Sequence, residues 1–109
     1  WIAHARLRDT DEIENDYPVQ AIIKHRSGIA EATLYYRVLP EEAYTAVPMF
    51  LADSLSATWA AAIPAQEEGR AVQYYIHAAA HSGKEQVRPL VAPEGYFQFR
   101  VRALAPAFA

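Results

Sequence analysis

The 109-residue chain has no cysteine, a single methionine and only four glycines. Without cysteine it can hold no disulfide framework, no thiolate metal site and no cysteine nucleophile. The glycines stand singly, so no glycine-rich phosphate loop is present, and no Gly-x-Ser-x-Gly elbow surrounds a serine. Every apolar run falls well short of the ~20 residues that span a bilayer, so no membrane span is expected. Trp1-Ile2-Ala3-His4-Ala5-Arg6 lacks the charged start and apolar stretch of a secretory signal. Trp1 is no natural initiator, and the chain is expected to be a fragment or a processed product. A basic stripe is missing as well. The formal charge is −3 with acids and bases spread along the chain, which argues against a nucleic-acid partner.

What is present suits one small β domain. Hydrophobic residues make up 52% of the chain, enough for a core that needs neither disulfides nor metal. Short segments of period-two alternation recur between Pro, Gly and polar turns. The spacing predicts strands over Ile2 to Leu7, Tyr17 to His25, Ile29 to Val38, Ala57 to Ile63, Ala71 to Ala79 and Gly95 to Arg102. A shorter piece from Tyr44 to Met49 contains Pro48 and reads as an edge strand. Leu51 to Leu55 reads as a turn. In the third segment Ala30, Ala32, Leu34, Tyr36 and Val38 should face inward, and Glu31, Thr33, Tyr35 and Arg37 outward. The expected fold is therefore all-β: an immunoglobulin-like two-sheet Greek-key sandwich of about seven strands. It should occupy residues 1–102, with 103–109 a linker to a following segment.

Candidate chemistry is sparse. His77 and His81 stand four apart, but on a strand leaving into a loop that spacing does not align them. With His4 and His25 they read as isolated surface or strand-end histidines. The acidic stretch offers Asp9, Asp11, Glu14 and Asp16, with Glu12 among them, as calcium ligands. It lacks the spacing and central glycine of an EF-hand, and a loop of solvated acids is the simpler reading. Tyr35 and Tyr75, both outward, could form an aromatic ledge for a glycan or a protein surface; cross-strand packing is the plainer alternative. Trp59 reads as the large residue between the sheets. Ala80 to Glu94 is long for a loop in a small domain, and such loops are often functional. Its Leu90 and Val91, with Arg88 and Trp1, form a candidate docking surface; alternatively Leu90 and Val91 cap their own core. No acid–base pair can be placed together, so the chain is not expected to be an enzyme and no cofactor is assigned.

The pieces "SGIAEATLYYRV", "VPMF", "TWAAAIPAQ", "VQYYIHAAAHSGKE" and "RPLVAPEGYFQFRV" follow in order between Ser27 and Val101, within a resemblance that covers about residues 2 to 102. Together they resemble the immunoglobulin-like or fibronectin-like domains of secreted bacterial hydrolases. "HSGKEQVRPLVAPEGYFQFRV" looks like the module after the catalytic domain in exported peptidyl-arginine deiminase and agmatine deiminase-type enzymes. The resemblance implies an accessory domain beside a catalytic domain of the same parent chain, which would act on guanidino groups. It further implies a secreted or cell-surface location and a C-terminal sorting domain. None of that family's catalytic residues has a counterpart here.

Overall fold

A pleated backbone turns successive side chains to opposite faces, so the alternating segments become strands with one buried face. The structure is a computed structural model that describes residues 1–103. Its strands are β1 (Ile2–Ala3), β2 (Tyr17–Ile23), β3 (Ile29–Val38), β4 (Thr45–Pro48), β5 (Phe50–Asp53), β6 (Thr58–Ile63), β7 (Ala71–Ala80), β8 (Glu85–Arg88) and β9 (Phe97–Arg100). A four-stranded sheet has the order β1-β2-β6-β5. In the five-stranded sheet β4, β3 and β7 lie side by side, and β8 and β9 both pair with the far edge of β7. The two sheets pack as an open sandwich, not a closed barrel.

The core lies between them. Val19, Ile23 and Ile63 from one sheet meet Leu34, Val72, Tyr74, Ile76 and Phe99 from the other, all with 2% exposure or less. Removing each such aliphatic side chain from water is worth about 1.5–3 kcal/mol. The alternating Val19, Ala21 and Ile23 of β2, Val72, Tyr74, Ile76 and Ala78 of β7 and Phe99 of β9 are buried, Gln73 is buried beside them, and β3 has the expected limits. Pro48, which has no amide hydrogen, ends the edge strand β4.

Several expectations need correction. Among the described residues there are nine strands, not about seven. The first strand stops at Ala3 instead of Leu7, because the chain then crosses to the other sheet. There Thr10 accepts from Arg102 N–H and donates to Arg100 O, making an isolated parallel bridge with Val101. Ala30 is exposed rather than inward: a bulge between Ile29 and Glu31 resets the alternation, and Ile29 packs on the core instead. The supposed turn at Leu51 begins as the strand β5. The long loop from Ala80 contains β8, so the irregular stretch shrinks to residues 89–96, an excursion between two strands that share one edge of β7. Trp59 is only partly buried and sits opposite Leu51 at the margin of the core. The linker expected over 103–109 lies, from residue 104 onward, outside the described residues.

Candidate functional site

The outer face of the five-stranded sheet carries the densest group of aromatic and polar side chains. Tyr35 on β3 and Tyr75 on β7 are directly opposed, and their rings stack with centroids 4.8 Å apart and planes 12° off parallel. Tyr44 meets Tyr75 edge-on at 4.8 Å. The Arg37 guanidinium lies 4.4 Å over the Tyr44 ring and 5.4 Å from Tyr96, which closes the 89–96 excursion. Its Nε donates to Gln73 Oε1 at 2.8 Å and its Nη1 to Glu42 O at 2.8 Å, while Gln73 Nε2 donates to Gln98 Oε1 at 2.9 Å. Burial pushes the Tyr75 and Tyr44 phenols above their ordinary range. The Tyr44 hydroxyl is buried without a hydrogen-bond partner. Stacking commits one face of each of Tyr35 and Tyr75 to the other. The pair packs across the strands, and Arg37 links it through the Tyr44 ring to Tyr96.

The docking residues come together in part. Trp1, Arg88 and Leu90 line one cleft of about 400 Å³ with Ile2 and Val87, at the edge where β1 approaches β8. Trp1 is 54% and Leu90 75% exposed. Arg88 is half-buried, and its Nε donates to Ile2 O at 2.9 Å, strapping the two sheets together. Val91 lies outside this cleft. Its carbonyl accepts the Gly95 N–H at 2.9 Å, and a Cβ at Gly95 would run into Val91 Cγ2. Leu90 and Val91 are both exposed, so neither caps the core.

The acidic stretch is not drawn into one site. Asp9 Oδ1 accepts the Arg100 N–H at 2.9 Å and its Oδ2 pairs with Arg102 Nε at 2.7 Å. These bonds, the Arg100 amide first, hold its carboxyl below the usual range. Glu12 is lowered mainly by the Glu14 N–H, then by Asn15. Asp16 Oδ1 accepts from Ala65 N–H at 3.1 Å, while Asp11 and Glu14 are exposed. Among the described residues no group of three or more His, Cys, Asp or Glu is placed to hold a metal ion. No helix there is long and apolar enough to cross a membrane.

His4, expected to be an isolated surface or strand-end histidine, directly follows β1 and is partly buried, but it is not isolated. Its Nδ1 lies 2.6 Å from Gln20 O and its Nε2 2.7 Å from the Tyr74 hydroxyl, which also accepts the Leu7 N–H at 3.0 Å. A carbonyl only accepts, so Nδ1 carries the proton and Nε2 accepts from Tyr74. Burial lowers the His4 pKa and raises that of Tyr74 to about 12. The bond pattern and the charge states agree: a neutral imidazole joins β2 of one sheet to β7 of the other. His77 Nε2 lies 2.8 Å from Glu85 Oε1, and His25 Nδ1 lies 2.9 Å from Ser27 Oγ. None of the residues in Arg37's cluster other than Tyr35 and Tyr75 was singled out by pattern, because Tyr44, Gln98 and Tyr96 reach it from different elements. The chain matches no protein-family model and no curated protein.

Proposed function

We propose that the chain is a non-catalytic accessory domain of a secreted multidomain bacterial enzyme, of the peptidyl-arginine deiminase or agmatine deiminase type. It stabilises the catalytic domain or spaces it from a C-terminal sorting domain. The strand order supports an immunoglobulin-like Greek-key fold: β1-β2-β6-β5 corresponds to A-B-E-D, and β4-β3-β7 with β8 and β9 to C′-C-F-G with the last strand interrupted. The observation that carries the functional reading is the cleft where exposed Trp1 and Leu90 meet from distant parts of the chain. Large exposed apolar side chains beside a rigid strap such as Arg88 suit the docking of a neighbouring domain. Guanidine hydrolysis would belong to that neighbour, since a cysteine nucleophile is absent here. Producing the parent chain with and without this domain tests the reading. Loss of the domain should lower the melting temperature or the secreted yield, and Trp1→Ser with Leu90→Ser should reproduce part of the loss. No change in either quantity would overturn it.

A second reading, a glycan- or protein-binding surface of an exported protein, is favoured by the Tyr44 hydroxyl. It is a buried donor with no partner, next to a guanidinium stacked on two rings. A glycan array and a pull-down with the isolated chain examine it. Saturable binding that disappears in Tyr75→Ala supports this reading, and no binding on either format removes it.

A further inference from the structure

A ladder of polar side chains fixes Arg37 on the outer face of the five-stranded sheet. Register sets Arg37 of β3 beside Gln73 of β7, and Gln73 beside Gln98 of β9. Arg37 Nε donates to Gln73 Oε1 and Gln73 Nε2 to Gln98 Oε1, so each side chain positions the next. Gln73 is only 4% exposed, which gives the ladder a rigid foot. Arg37 Nη1 donates to Glu42 O, and the Tyr44 and Tyr96 rings flank the guanidinium at 4.4 and 5.4 Å.

What this half-buried cation lacks is an anion. A guanidinium has five N–H groups, and neutral oxygens take two of them, which leaves three without a partner among the described residues. No carboxylate there lies within ion-pair distance of Arg37. Glu41 Oε1 accepts the Val38 N–H, Glu42 is exposed and offers its carbonyl, and Glu31 stands near the start of β3, ~20 Å along the strand. Taking a charge partly out of water is costly unless an opposite charge answers it. Both Nη2 hydrogens and one on Nη1 remain, a set able to grip a carboxylate through two bonds.

We propose that Arg37 and its ladder bind the carboxylate of an acidic sugar. The inference rests on the second reading above, a glycan-binding face, and names the class of glycan. The side chains that contact Arg37 and continue its ladder, Tyr44, Tyr96, Gln73 and Gln98, are all neutral. One positive charge among phenols and amides matches one carboxylate on a ring of hydroxyls. An acidic peptide repeats its charge and calls for several cations in line.

NMR titration of the isotope-labelled chain tests the proposal with three probes: a disaccharide ending in glucuronate, the same disaccharide ending in glucose, and tetraglutamate. The acidic sugar should shift the amides of Gln73, Tyr75 and Gln98 saturably and bind at least about tenfold tighter than the neutral one. Arg37→Gln should abolish that preference, while Lys24→Gln, just past β2 of the other sheet, leaves it unchanged. Thermal melts check that the variants fold; should Arg37→Gln not, the position of the shifts in the unaltered chain decides alone. Equal binding of the two sugars, or a preference that survives Arg37→Gln, overturns this inference and leaves the glycan-binding reading standing. Absence of binding by either sugar removes both. Tetraglutamate binding tighter than the acidic sugar overturns it in favour of an acidic peptide.

Discussion

At the scale of the residue, His4 and Tyr74 form the most consequential polar contact in the molecule. Each hydrogen bond in the chain from Gln20 O through His4 and Tyr74 to Leu7 N–H has one donor and one acceptor only while the imidazole is neutral. A proton on Nε2 would aim two donors at one hydroxyl and strand its hydrogen. Tyr74→Phe leaves Leu7 N–H and His4 Nε2 without partners and should cost about 1–3 kcal/mol in urea denaturation. The pH dependence follows in sign. Burial depresses the folded-state pKa of His4 below 6.5, so the unfolded chain takes up the proton first. Its contribution is complete above that value and is lost as pH falls through the folded pKa. Melting temperatures measured from about pH 7.5 down to about pH 5 should decline, and His4→Gln should flatten the decline. The lowered carboxyls of Asp9 and Glu12 act in the same direction at more acid pH, where they lose stability below the ordinary carboxylate range.

At the scale of the element, the telling segment is the excursion at 89–96. Both β8 and β9 pair with β7, so the excursion lifts off the middle of one edge and returns to it. Gly95 lets it close. Its amide hydrogen reaches Val91 O, and there is no room for a Cβ against Val91 Cγ2. Gly95→Ala should destabilise by about 1–3 kcal/mol, as overpacked sites do, and displace Val91. Hydrogen exchange at Gly95 and Ala92 would report the change ahead of the core amides. Alternation makes the limits of β3 and β7 legible in the sequence, and the inward side chains of β3 from Ala32 onward. β5 and β8 are not legible, because Phe50-Leu51-Ala52 shows no apolar–polar alternation and Glu85–Arg88 holds a single apolar residue, Val87. The bulge that turns Ala30 outward is likewise invisible, since it depends on how Ile29 and Glu31 pair with β7.

At the scale of the whole molecule, two layers close on one core. Burial predicts a sharp contrast between two phenylalanines. Phe99→Ala, at 1% exposure, should cost about 3–5 kcal/mol, a large share of the ~5–15 kcal/mol typical of a domain. Phe50→Ala, at 62% exposure, should change stability by no more than about 0.5 kcal/mol. Chemical denaturation of both variants measures the difference. The site proposed for docking divides in the same way. Trp1, Arg88, Leu90 and Val91 were each readable as unusual in the chain, but only three of them share a cleft, because Val91 lies beside Gly95 and outside it.

What the amino-acid sequence determined by itself is the local rule: period-two alternation with turn residues between, hence an all-β domain, the inward side chains of β3 from Ala32 onward, and Pro48 on an edge. These follow from single-strand geometry and need no knowledge of neighbours. Tertiary structure alone decided what depends on pairs distant in the chain. It brought His4 to Tyr74, Arg37 to Tyr96 and Arg88 to Ile2, and it placed β8 and β9 on one edge of β7. It also set Arg37 beside Gln73 and Gln73 beside Gln98, since register, not composition, decides which residues stand side by side.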